Sequence, residues 1–498
     1  MKKIMLALAM LLIVAPAFVS AAPKYAADVP ENVTTPDVVQ TKQLGELHFF
    51  DGMPSEETVK KVYDNLDFIR GVESFLSGIP AASIYGLLEG LKQAGIQENG
   101  VAITESLLDA QTLFLTGNTT TMYCSFEINT KNEPIVVEIP PMVLGMVDDA
   151  FFRYITDVGL TGPDQGKGGK YLFVGPDFKE ALPAGYFVVH TKTYRNWLMK
   201  RAFVKGNDLK QAATNIKSKL RVYPLSKASN PPAQQFVDIT GNQFNTVHAN
   251  DYHFFEELNA VIQYEPAGAF NRELVGLFAS IGIKKGESFE PDSRMKKILT
   301  DAAAVGNATA RAISFAPRDE KVFYYPDRKW YTFFSGGNHE FMDNGEMVLN
   351  DRTFFHYVAT GITPAMAMSA VGKGSAYALT GMDTEGHYLN GSNSYKITLP
   401  GPVPAANFWS FTVYSTQHRS LLETDQKTAG VDSNNPDLKA NADGSYTVWF
   451  GPEAPAGKEG NWVQTIPGKS WFSLLRLYGP LEPWMNKTWK PGDFALVK

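Results

Sequence analysis

The chain is 498 residues long, enough for two large domains or about three average ones. A composition of 44% apolar and 20% charged residues excludes a disordered or fibrous polypeptide. A formal charge of −6 excludes the basic footprint that non-specific nucleic-acid binding needs, and 12% aromatic residues with 42 Gly and 30 Pro favour a turn-rich β architecture.

Lys2 and Lys3 precede an apolar run, Ile4–Val14, followed by Pro16 and the small residues Ser20, Ala21 and Ala22. This is the pattern of a signal peptide over residues 1–21, and it predicts a periplasmic or secreted protein. The run is too short to span a bilayer, and no later stretch is long and apolar enough, so the chain is not expected to span a membrane. Residues 22–50 read as an extended leader. A helical spacing of Val59, Val62, Tyr63, Leu66 and Ile69 predicts a helix from Ser55 to about Leu91. Short strands follow at Gln111–Leu115, Thr120–Glu127, Pro134–Ile139, Phe151–Asp157, Lys170–Val174 and Gly185–Thr191, separated by turn signals. Together they predict a β-sandwich over 51–225 with the helix at its start. Cys124 is the only cysteine and excludes an internal disulfide; inside a strand it reads as a buried small hydrophobe.

The period then changes. Helices are expected over Asp251–Tyr264, Asn271–Ile281, Asp292–Ser314 and Arg352–Met368, giving a helical region at 226–372. Alternation returns at Tyr395–Leu399, Phe408–Tyr414, Ser445–Phe450 and Trp471–Tyr478, with Asp443-Gly444 as a hairpin-turn signal, and defines a second β domain at 373–498.

Catalytic motifs are sparse. Gly159–Gly169 lacks P-loop spacing, and Ser293-Arg294-Met295-Lys296 matches S-x-x-K without its companion motifs. His253 and Glu257, at i,i+4 on one helix face, are the candidate ligands should a divalent metal be bound, but ordinary flanking positions of a helix whose core stripe is Phe254, Phe255 and Leu258 are the favoured explanation. Asn441, Asp443 and Gly444 fit part of an EF-hand loop, but Lys439 and Phe450 fail it, which leaves a surface loop. Arg476 alternates with Phe472, Leu474 and Tyr478 on one strand face; its guanidinium must be paired there, or must clamp a ligand. Asn118, Thr121 and Tyr123 place polar groups where a strand-ending turn ordinarily has only Gly or Asp.

Asn118-Thr119-Thr120-Thr121-Met122-Tyr123, with Glu133-Pro134 and the strand to Pro140, resembles the N-x-D-T-x-Y…P motif of a bacterial domain of unknown function catalogued as 1254. Gly175-Pro176, Arg201 and Asp208 continue the likeness. Gly401-Pro402-Val403-Pro404, Phe408–Tyr414, Asp443-Gly444-Ser445, Asn461-Trp462 and Leu475–Pro480 resemble its usual partner, catalogued as 1214. The resemblance implies an immunoglobulin-like β-sandwich, a helical region and a jelly-roll-like β-sandwich, hence a mainly β fold. It implies no reaction. Thr120 stands where the motif has Asp, so any metal or acid–base role of that Asp is missing here.

Three functions follow. The first is binding or processing of a small polar or saccharide-like ligand in a cleft between the two β domains, with Trp409, Tyr414 and Trp462 for stacking and Arg476, Asn461, Asn118, Thr121 and Tyr123 as polar readers. The second is a hydrolase, metal-assisted or not, using Asp383 or His387 with Arg476 as anion clamp. The third is a structural or interaction module, which predicts a stable homo-oligomer.

Overall fold

The computed structural model describes residues 24–202, 208–368 and 370–498. The expected signal peptide lies outside them. The chain divides into two compact units, Met1–Leu66 and Asp67–Lys498. In the first, part of the expected leader folds as β1 (Val38–Thr41) and β2 (Gly45–Phe50), which with β3 (Met53–Pro54), just beyond the leader, form a three-stranded antiparallel sheet. A single helix, α1 (Glu56–Gln93), starts there and runs on into the second unit, carrying Pro80 within it. Its face bearing Ile84, Leu87, Leu88 and Leu91 is buried, as the three-and-four spacing requires.

The N-terminal half of the second unit is built from β4 (Val101–Ile103), β5 (Thr112–Leu113), β6 (Met122–Asn129), β7 (Ile135–Ile139), β8 (Val143–Asp149), β9 (Tyr154–Gly159), β10 (Gly169–Val174), β11 (Phe187–His190) and β12 (Arg195–Ala202). Helix α2 (Leu209–Lys219) and strands β13 (Arg221–Pro224), β14 (Phe236–Asp238) and β15 (Phe244–Asn245) complete it. A six-stranded sheet ordered β14-β4-β6-β12-β8-β9 packs on a four-stranded sheet ordered β11-β10-β7-β13. Cys124, Phe126, Ile128, Val137, Phe173 and Leu198 fill the space between them. On its other face the six-stranded sheet meets α1, through Tyr123, Met146, Trp197 and Met199. β8 and β12 are therefore buried on both sides, lose polar alternation, and do not stand out as strands in the sequence.

The helical region comprises α3 (His253–Tyr264), α4 (Arg272–Ser280), α5 (Ser293–Phe315), a short hairpin β16 (Met342–Asp343) and β17 (Glu346–Met347), α6 (Leu349–Val358) and α7 (Pro364–Ala367). The helix expected over Arg352–Met368 is thus two. Gly361, at φ +78°, breaks it, and Pro364 at the first position of α7 restarts it.

The C-terminal part holds β18 (Ser375–Thr380), β19 (Tyr395–Leu399), β20 (Ala405–Ser415), β21 (Gly430–Asp432), β22 (Tyr446–Gly451), β23 (Trp462–Gln464), β24 (Trp471–Pro480), α8 (Glu482–Met485) and β25 (Ala495–Leu496). They form two four-stranded sheets, β18-β24-β20-β21 and β23-β22-β19-β25. Phe411, Phe450, Trp471 and Phe494 form an aromatic core with rings 4.9–6.4 Å apart. Asp443-Gly444 does turn the chain into β22, but β22 pairs with β19 and β23, not with the preceding β21. At 26% helix and 28% strand the fold is mixed and β-rich, because α1 and α5 are long.

Candidate functional site

Two strand pairs, one from each half of the second unit, present the same chemistry to one cavity. In the six-stranded sheet Tyr123 on β6 lies opposite Arg201 on β12. In the C-terminal sheet Tyr377 on β18 lies opposite Arg476 on β24. All four line a cavity of about 40 Å³, together with Asn118, Thr360 and the rings of Phe333, Phe334 and Phe355. A second cavity of about 40 Å³ shares Arg201, Tyr377, Met199 and Met366 with the first and adds Asp157.

Arg476 is 3% exposed. Its guanidinium donates to Thr412 Oγ1 (3.0 Å) and to the Thr116 carbonyl (2.9 Å), and stands 5.7 Å from the Tyr414 ring. The Tyr414 hydroxyl donates to the Gly117 carbonyl (2.7 Å). Asn118 Oδ1 accepts from the Thr120 backbone N–H (2.7 Å) and hydroxyl (2.6 Å), which orients its Nδ2 to donate to the Tyr478 hydroxyl. Thr120, the departure from the expected motif, therefore sets the Asn118 amide. The guanidinium of Arg201 lies 6.0 Å from the Tyr123 ring. The hydroxyls of Thr121 and Thr360 are buried without a hydrogen-bond partner.

Among the described residues neither Arg201 nor Arg476 forms an ion pair with a carboxylate, and the undescribed stretches 1–23, 203–207 and 369 contain no Asp or Glu. Arg195 makes the contrast: Glu127 at 2.7 Å and Glu89 at 2.9 Å neutralise it. Asp157, in the second cavity, instead accepts from the Thr363 hydroxyl (2.7 Å), and burial raises its pKa. Burial alone would raise the Tyr377 phenol, but the charge and hydrogen bond of Arg201, then Arg476, pull it below the usual value. Burial holds Tyr414 up, at about 12.

Asn118, Tyr123 and Arg476 thus meet around one cavity, with Tyr414 on Arg476 and Thr121 two residues before Tyr123 in the chain. Trp409 does not join them: it is buried against Phe411 and Tyr446 within the C-terminal domain. Asn461 and Trp462 line a separate groove on the outer C-terminal sheet. Asp383 accepts from the backbone of Glu385 and His387 (both 2.9 Å), a turn-capping arrangement, while the His387 side chain is 80% exposed. His253 pairs with Asp251 (2.9 Å), whereas both Glu257 oxygens accept from the Ala249 N–H (3.1 and 3.0 Å), so the i,i+4 pair faces different partners. Among the described residues no group of three or more His, Cys, Asp or Glu is placed to hold a metal ion. No helix of the described residues is long and apolar enough to cross a membrane. Sequence reasoning missed Tyr377 and the site role of Arg201. Their cross-strand pairing was the only signal, and it appears only once the strands are assembled.

Residues 99–224 match the family model of DUF1254, and residues 374–482 that of DUF1214, each described as a protein of unknown function. Tyr123 and Arg201 fall in the first matched segment, Tyr377 and Arg476 in the second. No curated protein matches the chain. Among solved structures, the VPA0106 protein from Vibrio parahaemolyticus is similar at 16% identity with a TM-score of 0.53, over 87% of this chain and 100% of that one, a likeness of fold. An uncharacterized protein from Burkholderia cenocepacia is 13% identical over 88% and 96% of the two chains, with a TM-score of 0.39.

Proposed function

We propose that this protein binds a small anion, a carboxylate or comparably compact oxyanion, in the cavity lined by the Tyr123–Arg201 and Tyr377–Arg476 pairs. One observation carries the reading: two guanidiniums border a cavity with hydroxyl donors around it and no carboxylate paired to either. A buried cation without a counter-charge is costly, and an anionic ligand removes that cost while two forked donors fix its orientation. The depressed pKa of Tyr377 makes its hydroxyl a stronger donor to the same anion. A volume of about 40 Å³ suits an anionic group of a few heavy atoms, not a sugar ring. We further read the two sheet pairs as an immunoglobulin-like and a jelly-roll-like sandwich that clamp this group between them. The Lys2–Ala22 pattern supports export, which would place the ligand in the cell envelope or outside it.

The test is a thermal-shift titration of the whole protein with acetate, succinate, phosphate and sulfate. An anion at about 100 times its Kd should add roughly 2.7 kcal/mol, and Arg476→Met or Arg201→Met should abolish that gain. Absence of stabilisation by all four anions, or a gain that persists in both variants, contradicts the reading.

A further inference from the structure

Of the eight tryptophans, six (Trp197, Trp330, Trp409, Trp471, Trp484 and Trp489) are buried and sit against other aromatic rings. Trp449 and Trp462 are different. Both are only partly buried, neither stacks on another ring among the described residues, and the parallel register of β22 with β23 sets them side by side. Leaving two indoles partly in water forfeits the burial that holds the other six, so their position asks for an occupant.

They stand in a groove of about 880 Å³ on the outer face of the β23-β22-β19-β25 sheet. Alternation makes this face: Ile397 and Val448 point into the core, while Lys396, Thr398 and Thr447 point out with Trp449. The groove is pre-set. Trp462 Nε1 donates to the Gly451 carbonyl (3.0 Å). The buried Asn461 amide accepts from Lys439 N–H (2.8 Å) and donates to the carbonyls of Lys439 (2.8 Å) and Thr447 (2.9 Å), tying the wall loop to the floor strand. Its charged lining is nearly balanced, with Lys396, Lys439 and Lys458 against Asp437 and Glu459. Lys396 Nζ lies 5.7 Å from the Trp449 ring and has no carboxylate partner among the described residues.

We infer that this groove binds a neutral oligosaccharide chain. Two fixed, partly exposed indoles offer flat apolar faces to the C–H faces of sugar rings, and the hydroxyl, amide and amino groups around them suit ring hydroxyls. Near-balanced charge favours an uncharged ligand over a strongly acidic or basic one, and the volume takes more than one ring. The site is separate from the arginine cavity and stands or falls without it.

The experiment is isothermal titration of the full protein with maltohexaose, cellohexaose and chitohexaose, alongside intrinsic tryptophan emission. At least one hexasaccharide should bind and perturb the emission. Trp449→Ala and Trp462→Ala should each weaken that binding about tenfold or more, while Arg476→Met leaves it unchanged. Neither indole belongs to the core, so both variants should melt close to the parent. The emission change in the unsubstituted protein reads the site even if one variant folds poorly. Failure of all three sugars to bind at millimolar concentration, or binding that survives both substitutions, overturns the inference.

Discussion

At the scale of single residues the account turns on how buried polar groups are satisfied. Arg476 leans on neutral acceptors, the Thr412 hydroxyl and the Thr116 carbonyl, whereas Arg195 pairs with two carboxylates. Removing a guanidinium strands different groups in the two cases. Arg476→Met should cost about 1–3 kcal/mol, the penalty of neutral acceptors left unpaired. Arg195→Met should cost more, because Glu127 then keeps its charge with only the Asn129 amide (3.1 Å) against it, while Glu89 retains Lys92 (2.9 Å). Denaturant midpoints of the two variants, measured without added anion, check the order. Tyr478→Phe removes the acceptor of Asn118 Nδ2 and should cost about 1–3 kcal/mol as well. A variant as stable as the parent would mean that the Asn118–Tyr478 bond does not help hold the two β domains together.

At the scale of elements, glycine sets how closely α1 and α5 approach. A Cβ on Gly71 would come within 2.7 Å of Ala302 Cβ, and one on Gly306 within 2.7 Å of the Phe75 ring. Gly306→Val should therefore destabilise the protein by about 1–3 kcal/mol through overpacking, read as a lowered melting temperature. Elements also explain what the sequence made legible. Helix α1 and strands β19, β20 and β24 were readable because their apolar spacing or aromatic density is strong. β8 and β12 were not, because a strand packed on both faces shows no alternation. That loss hid the site role of Arg201, which sits on β12. The break between α6 and α7 could have been read from Gly361 and Pro364, had they been weighed above the apolar spacing around them. Arg476 and Asn118 were singled out as polar residues in strand-like settings. Their joining through Thr116 and Tyr478 depended on contacts between distant segments that no local pattern encodes.

At the scale of the whole molecule, buried titratable groups shape the pH dependence of stability. Burial raises Glu257 to about 8 and Glu265 to about 7, so the folded protein retains protons that the unfolded chain releases near 4.5. Their contribution is complete at low pH and is lost as pH rises through that window. Burial lowers His248 and His356 to about 3, so their contribution is present above about 6.5 and lost as pH falls toward 3. Stability should therefore peak between the two regimes. The melting temperature should fall from about pH 7 to about pH 8.5, and Glu257→Gln should flatten that fall; an equal fall in the variant would assign the dependence elsewhere. The two β domains meet through their paired arginines and tyrosines, and the central claim is that this meeting place takes an anion. Anomalous diffraction from crystals of the parent and of Arg476→Met, both soaked in selenate, tests it most directly. The account predicts a selenium peak in the cavity bordered by Arg201 and Arg476 in the parent and none there in the variant. A cavity without selenium in the parent, or a peak of equal height in Arg476→Met, would contradict it.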